Sequence, residues 1–258
     1  MKKLFISILT ASLFLLTGCL DNIQEITIHK DGSGEISSLS KMGAVFKLAK
    51  AMGGKDAMKD LEDKKFDTTF SLGLFLDSMK TLTADEKALI KDGKIGIDLN
   101  MAKEVFDTKF TMPFSNLNDI EKLNSLIHKI GRGALKEQMK NIPDMGKGMD
   151  MPDLGEMSKP SYIEDYFNFS FSKHKIERSL DKEKYKTIGD DKYLQMMKKG
   201  TAMGLPISYT LIINLPRKAR KVKGENVKLS EDGKKLTIKT SLEDFFEHPE
   251  KLEFKFKY

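Results

Sequence analysis

The chain has 258 residues, with 44 Lys and Arg against 38 Asp and Glu, so its formal net charge is +6. With 40% hydrophobic and 32% charged residues it can bury a core, and this composition excludes an intrinsically disordered protein. The single Cys excludes a disulfide framework and any Cys-x-x-Cys metal or redox motif.

The first residues follow the pattern of a secretory signal. Lys2 and Lys3 supply a positive start, and residues 4–16 form an apolar stretch interrupted only by Ser and Thr. A stretch of this length is too short to span a bilayer, which needs about 20 apolar residues. It has the length of a signal-peptide core, so we expect the segment to direct export.

The apolar stretch ends in Leu16, Thr17, Gly18 and Cys19. This tetrad resembles the lipobox of bacterial lipoproteins, in which a branched residue and two small residues precede the Cys. The resemblance implies that the thiol of Cys19 receives a diacylglyceryl group, that the peptidase recognises the three preceding residues and cuts before Cys19, and that the new amine is acylated. The alternative is a buried helix with a free thiol.

Two units follow from this resemblance. Residues 1–18 form a lipoprotein signal peptide, and residues 19–258 form a mature chain that has lost two lysines and carries a net charge of +4. Acyl chains on Cys19 make the membrane a partner of this chain, because two or three of them anchor a protein stably. Leu20, rather than an inner-membrane retention Asp, follows Cys19, so we expect a cell-envelope location in the outer membrane, facing the periplasm.

Strands are predicted wherever apolar and polar residues alternate with a period of two. These segments are 26–29, 66–74, 95–101, 106–112, 167–171, 207–215 and 252–258. Polar residues at every second position predict one solvated face, which is typical of antiparallel sheets. Asp31-Gly32 and Asp232-Gly233 predict tight turns between strands.

Helices are predicted at residues 42–52, 84–91, 117–130 and 242–247. Thr83 and Glu86 have capping-box spacing, Gly131 ends the third helix, and Ser241 can cap the fourth. We therefore predict an α+β fold, mostly antiparallel sheet with three or four amphipathic helices on one face. Halves 22–131 and 161–258 form one unit, joined by a flexible loop rich in Met, Gly and Pro at residues 132–160.

Catalytic motifs are not recognisable in the sequence. Ser-x-x-Lys, the spacing of acyl-transfer dyads, occurs only about as often as chance predicts. The pairs are Ser38/Lys41, Ser172/Lys175 and Ser179/Lys182. We expect no enzymatic activity and no cofactor.

Metal-binding patterns are also incomplete. The four His are scattered and are interpreted as solvated side chains. Asp31, Ser33 and Glu35 imitate the start of a calcium loop, but Ile36 stands where that loop needs Gly, so a plain turn is favoured. Met149-x-Met151 could bind Cu(I) through thioethers, although a flexible Met-rich loop explains the pattern without a metal. We predict no metal site.

A basic stretch follows Pro216. Its cations are Arg217, Lys218, Arg220, Lys221 and Lys223. One interpretation is a solvated strand edge that lysines protect from association. The functional interpretation is contact with anionic lipid headgroups. Nucleic acid is not expected as a partner of an exported protein.

A strand soon after Cys19 leads into Lys30-Asp31-Gly32-Ser33-Gly34, a late strand runs into Leu215-Pro216, and Ser230–Lys234 turns into Leu236-Thr237-Ile238. With these features, both ends of the mature chain resemble the LppM-like domain of bacterial lipoproteins. The resemblance implies a non-enzymatic α+β domain that is held at a membrane and binds lipids or envelope components.

The expected function is therefore that of a lipid-anchored cell-envelope protein with a non-catalytic binding or assembly role. Its partner would be an envelope protein or a lipid. The alternative is a carrier of an apolar or lipid ligand, which Phe-rich sheet faces and the Met-rich loop would enclose.

Overall fold

The computed structural model describes residues 20–43, 65–140, 162–202 and 207–258, with the backbone alone for residue 20 and residues 131–140. Twelve strands form the framework of the described residues. They are β1 (Leu20–Ile28), β2 (Gly34–Lys41), β3 (Lys65–Ser71), β4 (Lys94–Asn100), β5 (Val105–Phe114), β6 (Phe167–Ser172), β7 (Lys175–Leu180), β8 (Ile207–Asn214), β9 (Arg220–Lys223), β10 (Val227–Leu229), β11 (Lys235–Ser241) and β12 (Phe254–Lys257).

The strands form two sheets. The large sheet has eight strands in the order β10-β11-β8-β1-β2-β5-β4-β3, and the small sheet has the order β6-β7-β12-β9. All pairs between the described strands are antiparallel except β1 with β8. The two sequence halves therefore share one sheet, because β1 pairs with β2 on one side and with β8 on the other.

Five helices accompany the sheets in the described part of the chain. They are α1 (Ala84–Ile90), α2 (Asp119–Lys140), α3 (Lys182–Tyr185), α4 (Lys192–Ala202) and α5 (Leu242–Glu247). Short 3-10 turns lie at Leu72–Phe75, Met101–Lys103, Ile163–Tyr166, Ile188–Asp190 and Pro249–Leu252. The predicted α+β class with mostly antiparallel sheet is confirmed.

Local signals placed several elements correctly. Thr83 and Glu86 form the predicted capping box of α1, and Ser241 forms one with Asp244 at the start of α5. Gly32 adopts a φ of +89° in the turn between β1 and β2, a conformation that costs Gly little. The hairpin prediction at this turn is confirmed.

Other boundaries differ from the predictions. The third predicted helix does not end at Gly131, because α2 continues to Lys140. Residues 134–138 are Ala, Leu, Lys, Glu and Gln, which are strong helix formers, whereas an interior Gly costs only about 1 kcal/mol. Residues 132–140 are thus helical rather than loop. Residues 141–160 of the predicted loop, and almost all of the predicted helix 42–52, lie outside the described residues.

The main core lies against one face of the large sheet. Ile26, Ile36, Met112, Ile213 and Leu236 lie opposite one another on five neighbouring strands, and each is at most 1% exposed. Helix α2 contributes Leu123 and Ile127 to the main core, and the small sheet contributes Ile176, Phe254 and Phe256. The helix and the small sheet therefore cover the same face of the large sheet.

A second core lies beside the first and belongs mainly to the C-terminal half. Its buried members are Ile163, Tyr166, Phe167, Leu194, Ile207, Leu242, Phe245 and Leu252. Phe169 of β6 is partly buried and packs against both cores. The second core thus joins the small sheet to α4 and α5.

Candidate functional site

The predicted lipidation site directly precedes the first strand. Cys19 and the recognition residues 16–18 lie outside the described residues, and β1 begins at Leu20. Asp21 already lies between two neighbouring strands, and its carboxylate accepts a hydrogen bond from the hydroxyl of Ser208 in β8. The chain is therefore part of the large sheet from the residue that follows Cys19.

The predicted basic stretch divides between a loop and an edge strand. Arg217 and Lys218 lie in the connection after β8, whereas Arg220, Lys221 and Lys223 lie in β9, an edge of the small sheet. All five residues are exposed. Cations on an edge strand oppose association with other edges, so the position of β9 agrees with the structural interpretation. Headgroup contact stays a prediction.

A β-bulge shapes the basic edge. Lys223 pairs with Lys255 and Arg220 with Lys257, so β9 has one residue more than β12 between these pairs. Lys221 has a φ of +51°, in the left-handed region. The five cations of the basic stretch form no ion pair within the described part of the molecule.

The predicted anchor and the loop cations lie at opposite ends of the large sheet. β1 and β8 are parallel, with Leu20 opposite Ile207 and Thr27 opposite Asn214. Seven residue steps at about 3.3 Å each separate these two pairs by about 23 Å. Arg217 follows Asn214 by three residues, so the structure does not bring it near the start of β1.

Arg178 of β7 is a buried cation that the sequence patterns did not single out. It is 4% exposed, and its guanidinium carbon lies 3.9 Å from the ring centre of Phe167 and 5.2 Å from that of Phe169. Nε and Nη2 have no hydrogen-bond partner among the described residues. Burial lowers the pKa of Arg178 to about 10, against the opposing charge of Glu164, so the group is charged at neutral pH.

Strand periodicity contains a signal for this residue. Ile176, Arg178 and Leu180 occupy alternate positions of β7 and therefore share one face of the strand. Ile176 is fully buried in the main core. The alternation thus predicts an inward-facing arginine once β7 is recognised as a strand, but residues 175–180 were not predicted as one.

Two tyrosines of the second core, Tyr166 and Tyr185, have hydrogen bonds of the kind that Arg178 lacks. The hydroxyl of Tyr166 donates to the carboxylate of Asp191 at 2.7 Å, and that of Tyr185 donates to the carbonyl of Phe245 at 2.8 Å. Burial raises the pKa of Tyr166, and the hydrogen bond to Asp191 adds to this effect. These groups stabilise the fold as neutral donors, which leaves Arg178 as the exceptional polar group of this region.

A polar depression of about 430 Å³ opens beside Asp21. Ser208, Lys239, Ser241 and Asp244 are among the residues that line it. Two of these side chains already serve the capping box of α5, where the Asp244 carboxylate accepts from the Ser241 hydroxyl at 2.8 Å. The depression is therefore built largely from groups with structural roles.

Two of the three Ser-x-x-Lys pairs are not arranged as dyads in the structure. Ser38 and Lys41 are an odd number of positions apart in β2, so they lie on opposite faces of the sheet. The hydroxyl of Ser172 donates to the backbone carbonyl of Lys175 at 2.9 Å, and the Lys175 ammonium pairs with Glu177. These contacts are those of a hairpin end and not of a nucleophile with its base.

Asp31 closes the first hairpin as a turn residue. Its carboxylate accepts from the backbone nitrogen and the hydroxyl of Ser33 at 3.0 and 2.7 Å, and these bonds lower its pKa. The prediction of a plain turn is thus consistent with the geometry.

The prediction that all four histidines are solvated is wrong for His128. Its side chain on α2 is half-buried, and the centre of its ring lies 3.7 Å from the ring centre of Tyr162.

Among the described residues, no group of three or more His, Cys, Asp or Glu could hold a metal ion. Met149 and Met151 lie outside that part of the chain. The helices that the structure describes include none with the length and apolar character needed to cross a membrane.

No protein-family model, no curated protein and no solved structure matches this chain.

Proposed function

We propose that this protein is a lipid-anchored component of the cell envelope with a non-catalytic binding or assembly role. The observation that carries the proposal is the tetrad Leu16-Thr17-Gly18-Cys19 after a charged start and a short apolar stretch. Acyl chains on Cys19 would hold the protein in the outer membrane, facing the periplasm. The LppM-like resemblance of the mature chain supports the same kind of role.

The position of β1 agrees with such an anchor. Because β1 begins at Leu20, acylated Cys19 would connect to the large sheet without a linker. A short connection limits how the folded part can turn relative to the bilayer, whereas a long flexible one would not. The anchor would therefore orient the protein as well as retain it.

The experiment that tests the anchor is metabolic labelling with an alkyne fatty acid, followed by mass spectrometry of the mature N-terminus. We expect label on the wild-type chain and a first residue of acylated Cys19. Cys19→Ser is the matched control and should accumulate as an unlabelled precursor. A mature chain that begins at any other residue, or that carries no lipid, would contradict the proposal.

A second candidate is a carrier of an apolar or lipid ligand, and Arg178 is the observation that favours it. A buried cation with unpaired donors is unfavourable unless an anion compensates it. The surrounding rings of Phe167 and Phe169 would suit the chain of an amphiphile next to its acidic head. The partner would be a fatty acid or an acidic lipid.

Native mass spectrometry of the purified full chain with added oleate tests the carrier. We expect one oleate bound to the wild type and none to Arg178→Met. Arg217→Met removes an exposed arginine and should bind as the wild type does. Equal binding by all three proteins, or no binding by any, would rule out Arg178 as the residue that holds an acidic head.

A further inference from the structure

Four cations form a rim at the end of the large sheet that lies away from Leu20. We define this distal rim by Lys30, Arg217, Lys218 and Lys234, all of which are exposed. Lys30 lies in the turn after β1, Arg217 and Lys218 follow β8, and Lys234 precedes β11. The parallel pairing of β1 with β8 brings the first two of these loops to the same end.

Backbone contacts hold the rim loops together. The nitrogen of Leu215 donates to the carbonyl of Lys234 at 2.8 Å, and the nitrogen of Ala219 donates to the carbonyl of Gly233 at 2.7 Å. An open depression of about 580 Å³ lies between Lys30 and Pro216. These contacts fix two of the rim loops relative to each other, and the depression beside them is lined by Lys30 and Asp31.

Three exposed carboxylates, Asp31, Glu231 and Asp232, lie in the same turns, and hydrogen bonds within the turns hold two of them. Asp31 accepts two hydrogen bonds from Ser33, and Asp232 accepts from the Ser230 hydroxyl at 2.6 Å and from the Lys234 nitrogen at 3.0 Å. None of the four cations forms an ion pair within the described part of the chain. Four cations against three carboxylates leave the rim with an excess of one positive charge.

We propose that the distal rim binds an anionic polymer, a chain with regularly spaced carboxylates or phosphates, on the side away from the anchoring membrane. The orientation rests on the proposed lipid anchor, because acylated Cys19 places the Leu20 end at the bilayer. The rim then lies about 23 Å further out along the strands. The protein would connect its own membrane to a polymer of the envelope.

A polymer fits the rim better than a second membrane does. Loops and helices that bind a bilayer surface usually insert apolar side chains between the headgroups. The large exposed apolar residues of the described chain are Phe66, Leu74, Phe75 and Leu229, and of these only Leu229, at the end of β10, lies next to a rim loop. Separate exposed cations suit a flexible charged chain that can follow them.

Fluorescence quenching in neutral phosphatidylcholine vesicles tests the orientation. Cys19 is the only cysteine and would be acylated, so an engineered thiol on the full chain can be labelled alone. Lys103→Cys lies near the Leu20 end, and Lys218→Cys lies at the rim; both positions are exposed. We expect a lipid-bound quencher to act on the dye at position 103 and not on the dye at 218. Equal quenching would overturn the orientation.

Binding of the detergent-solubilised full chain to polygalacturonate, polyphosphate and neutral dextran tests the polymer. We expect binding to at least one anionic chain, none to dextran, and a roughly tenfold to thirtyfold loss in the double variant Arg217→Gln, Lys218→Gln. Binding to polygalacturonate would indicate recognition of carboxylates, and binding to polyphosphate would indicate recognition of phosphates. Lys122→Gln with Lys199→Gln removes two exposed cations elsewhere and should bind as the wild type does.

Several outcomes would overturn this proposal. Equal losses of polymer affinity in the two double variants would show that binding depends on net charge and not on the rim. Binding to no anionic polymer would exclude the proposed site. Preference for phosphatidylglycerol vesicles over both polymers would identify a membrane as the partner instead. Because the solubilised chain needs no acyl group for this assay, failure of the rim and failure of the lipid anchor give separate results.

Discussion

The main core and the second core are built on different principles. The main core places five apolar side chains in line across five strands, each at most 1% exposed, and their positions follow from the strand register. The second core contains tyrosines that donate hydrogen bonds, and Arg178 lies at its border against Phe167. The first region needs only close packing, whereas the second retains polar groups whose burial is costly.

This difference indicates where function can be sought. Natural proteins keep destabilising groups where an interaction requires them, and stabilising replacements at such places often reduce function. The main core should therefore lose stability on any truncation. The border of the second core should contain at least one position where a replacement stabilises the fold.

The largest expected effect is that of Ile36→Ala in the main core. Ile36 is fully buried, so the variant loses transfer free energy and leaves a cavity, and we expect a decrease of about 3–4 kcal/mol in the free energy of unfolding. Denaturant titration measures it. Glu35→Ala, the exposed neighbour on the opposite face, should change stability by less than about 0.5 kcal/mol. A loss below about 1 kcal/mol at position 36 would contradict this account of the main core.

Arg178→Met should change the free energy of unfolding in the opposite direction. Methionine fills a similar volume without a buried charge, so we expect an increase of about 1–3 kcal/mol in the free energy of unfolding. The folded-state pKa of about 10 is lower than the ordinary arginine value. The gain in stability of Arg178→Met over the wild type should therefore be largest below pH 10 and decrease as the pH rises above this value.

Arg217→Met is the matched control for this prediction, because it removes an exposed arginine and should change stability by less than about 0.5 kcal/mol. A destabilised Arg178→Met variant would show that contact with the Phe167 and Phe169 rings outweighs the desolvation of the guanidinium. Arg178 would then be a structural residue of the second core.

Tyr166→Phe tests the hydrogen bonds of the second core. The variant removes the donor at 2.7 Å from Asp191 and leaves the ring in place, so we expect a decrease of about 1–2 kcal/mol in the free energy of unfolding. Thermal unfolding measures the change. Tyr193→Phe, a half-buried position on α4, serves as the control and should lose less. An equal loss in both variants would argue against a special role of the Asp191 contact.

The smallest expected effect lies outside both cores, at Glu86. Its carboxylate accepts from the Thr83 nitrogen at 2.8 Å and from the Lys129 ammonium at 2.9 Å, and both contacts lower its pKa. Since the folded-state pKa is depressed, the stabilisation is present above the ordinary Glu value and is lost as the pH falls through the folded-state value. Glu86→Gln should lower the melting temperature slightly at pH 7 and not at strongly acidic pH. A difference between Glu86→Gln and the wild type that stays the same at every pH would contradict this account.

Local patterns were sufficient where neighbours in sequence decide the structure. The alternation at 95–101 and 106–112 predicted β4 and its hairpin partner β5, and the register joins Ile97 to Thr108. The caps at Thr83 and Ser241 were also predicted, because a side chain and a backbone nitrogen three residues apart form them. These elements required no knowledge of the rest of the chain.

Patterns failed where the chain mixes polar and apolar residues. Strand β9 holds Arg220, Lys221 and Lys223 around a single valine, and α4 has only one fully buried side chain, Leu194. Short elements of this kind form because a neighbouring strand or core accepts them. The end of α2 was misplaced because Gly131 was interpreted as a stop, although the following residues favour helix.

The amino-acid sequence by itself determined the α+β class, most of the strands, the caps of α1 and α5 and the prediction of a lipid anchor at Cys19. Each of these depends on residues close together in the chain. The tertiary structure alone decided that β1 pairs with β8 in parallel, which separates Leu20 from the distal rim, and that Arg178 lies buried between aromatic rings. Those facts depend on contacts between segments more than 150 residues apart or on burial by several elements, which local periodicity does not encode.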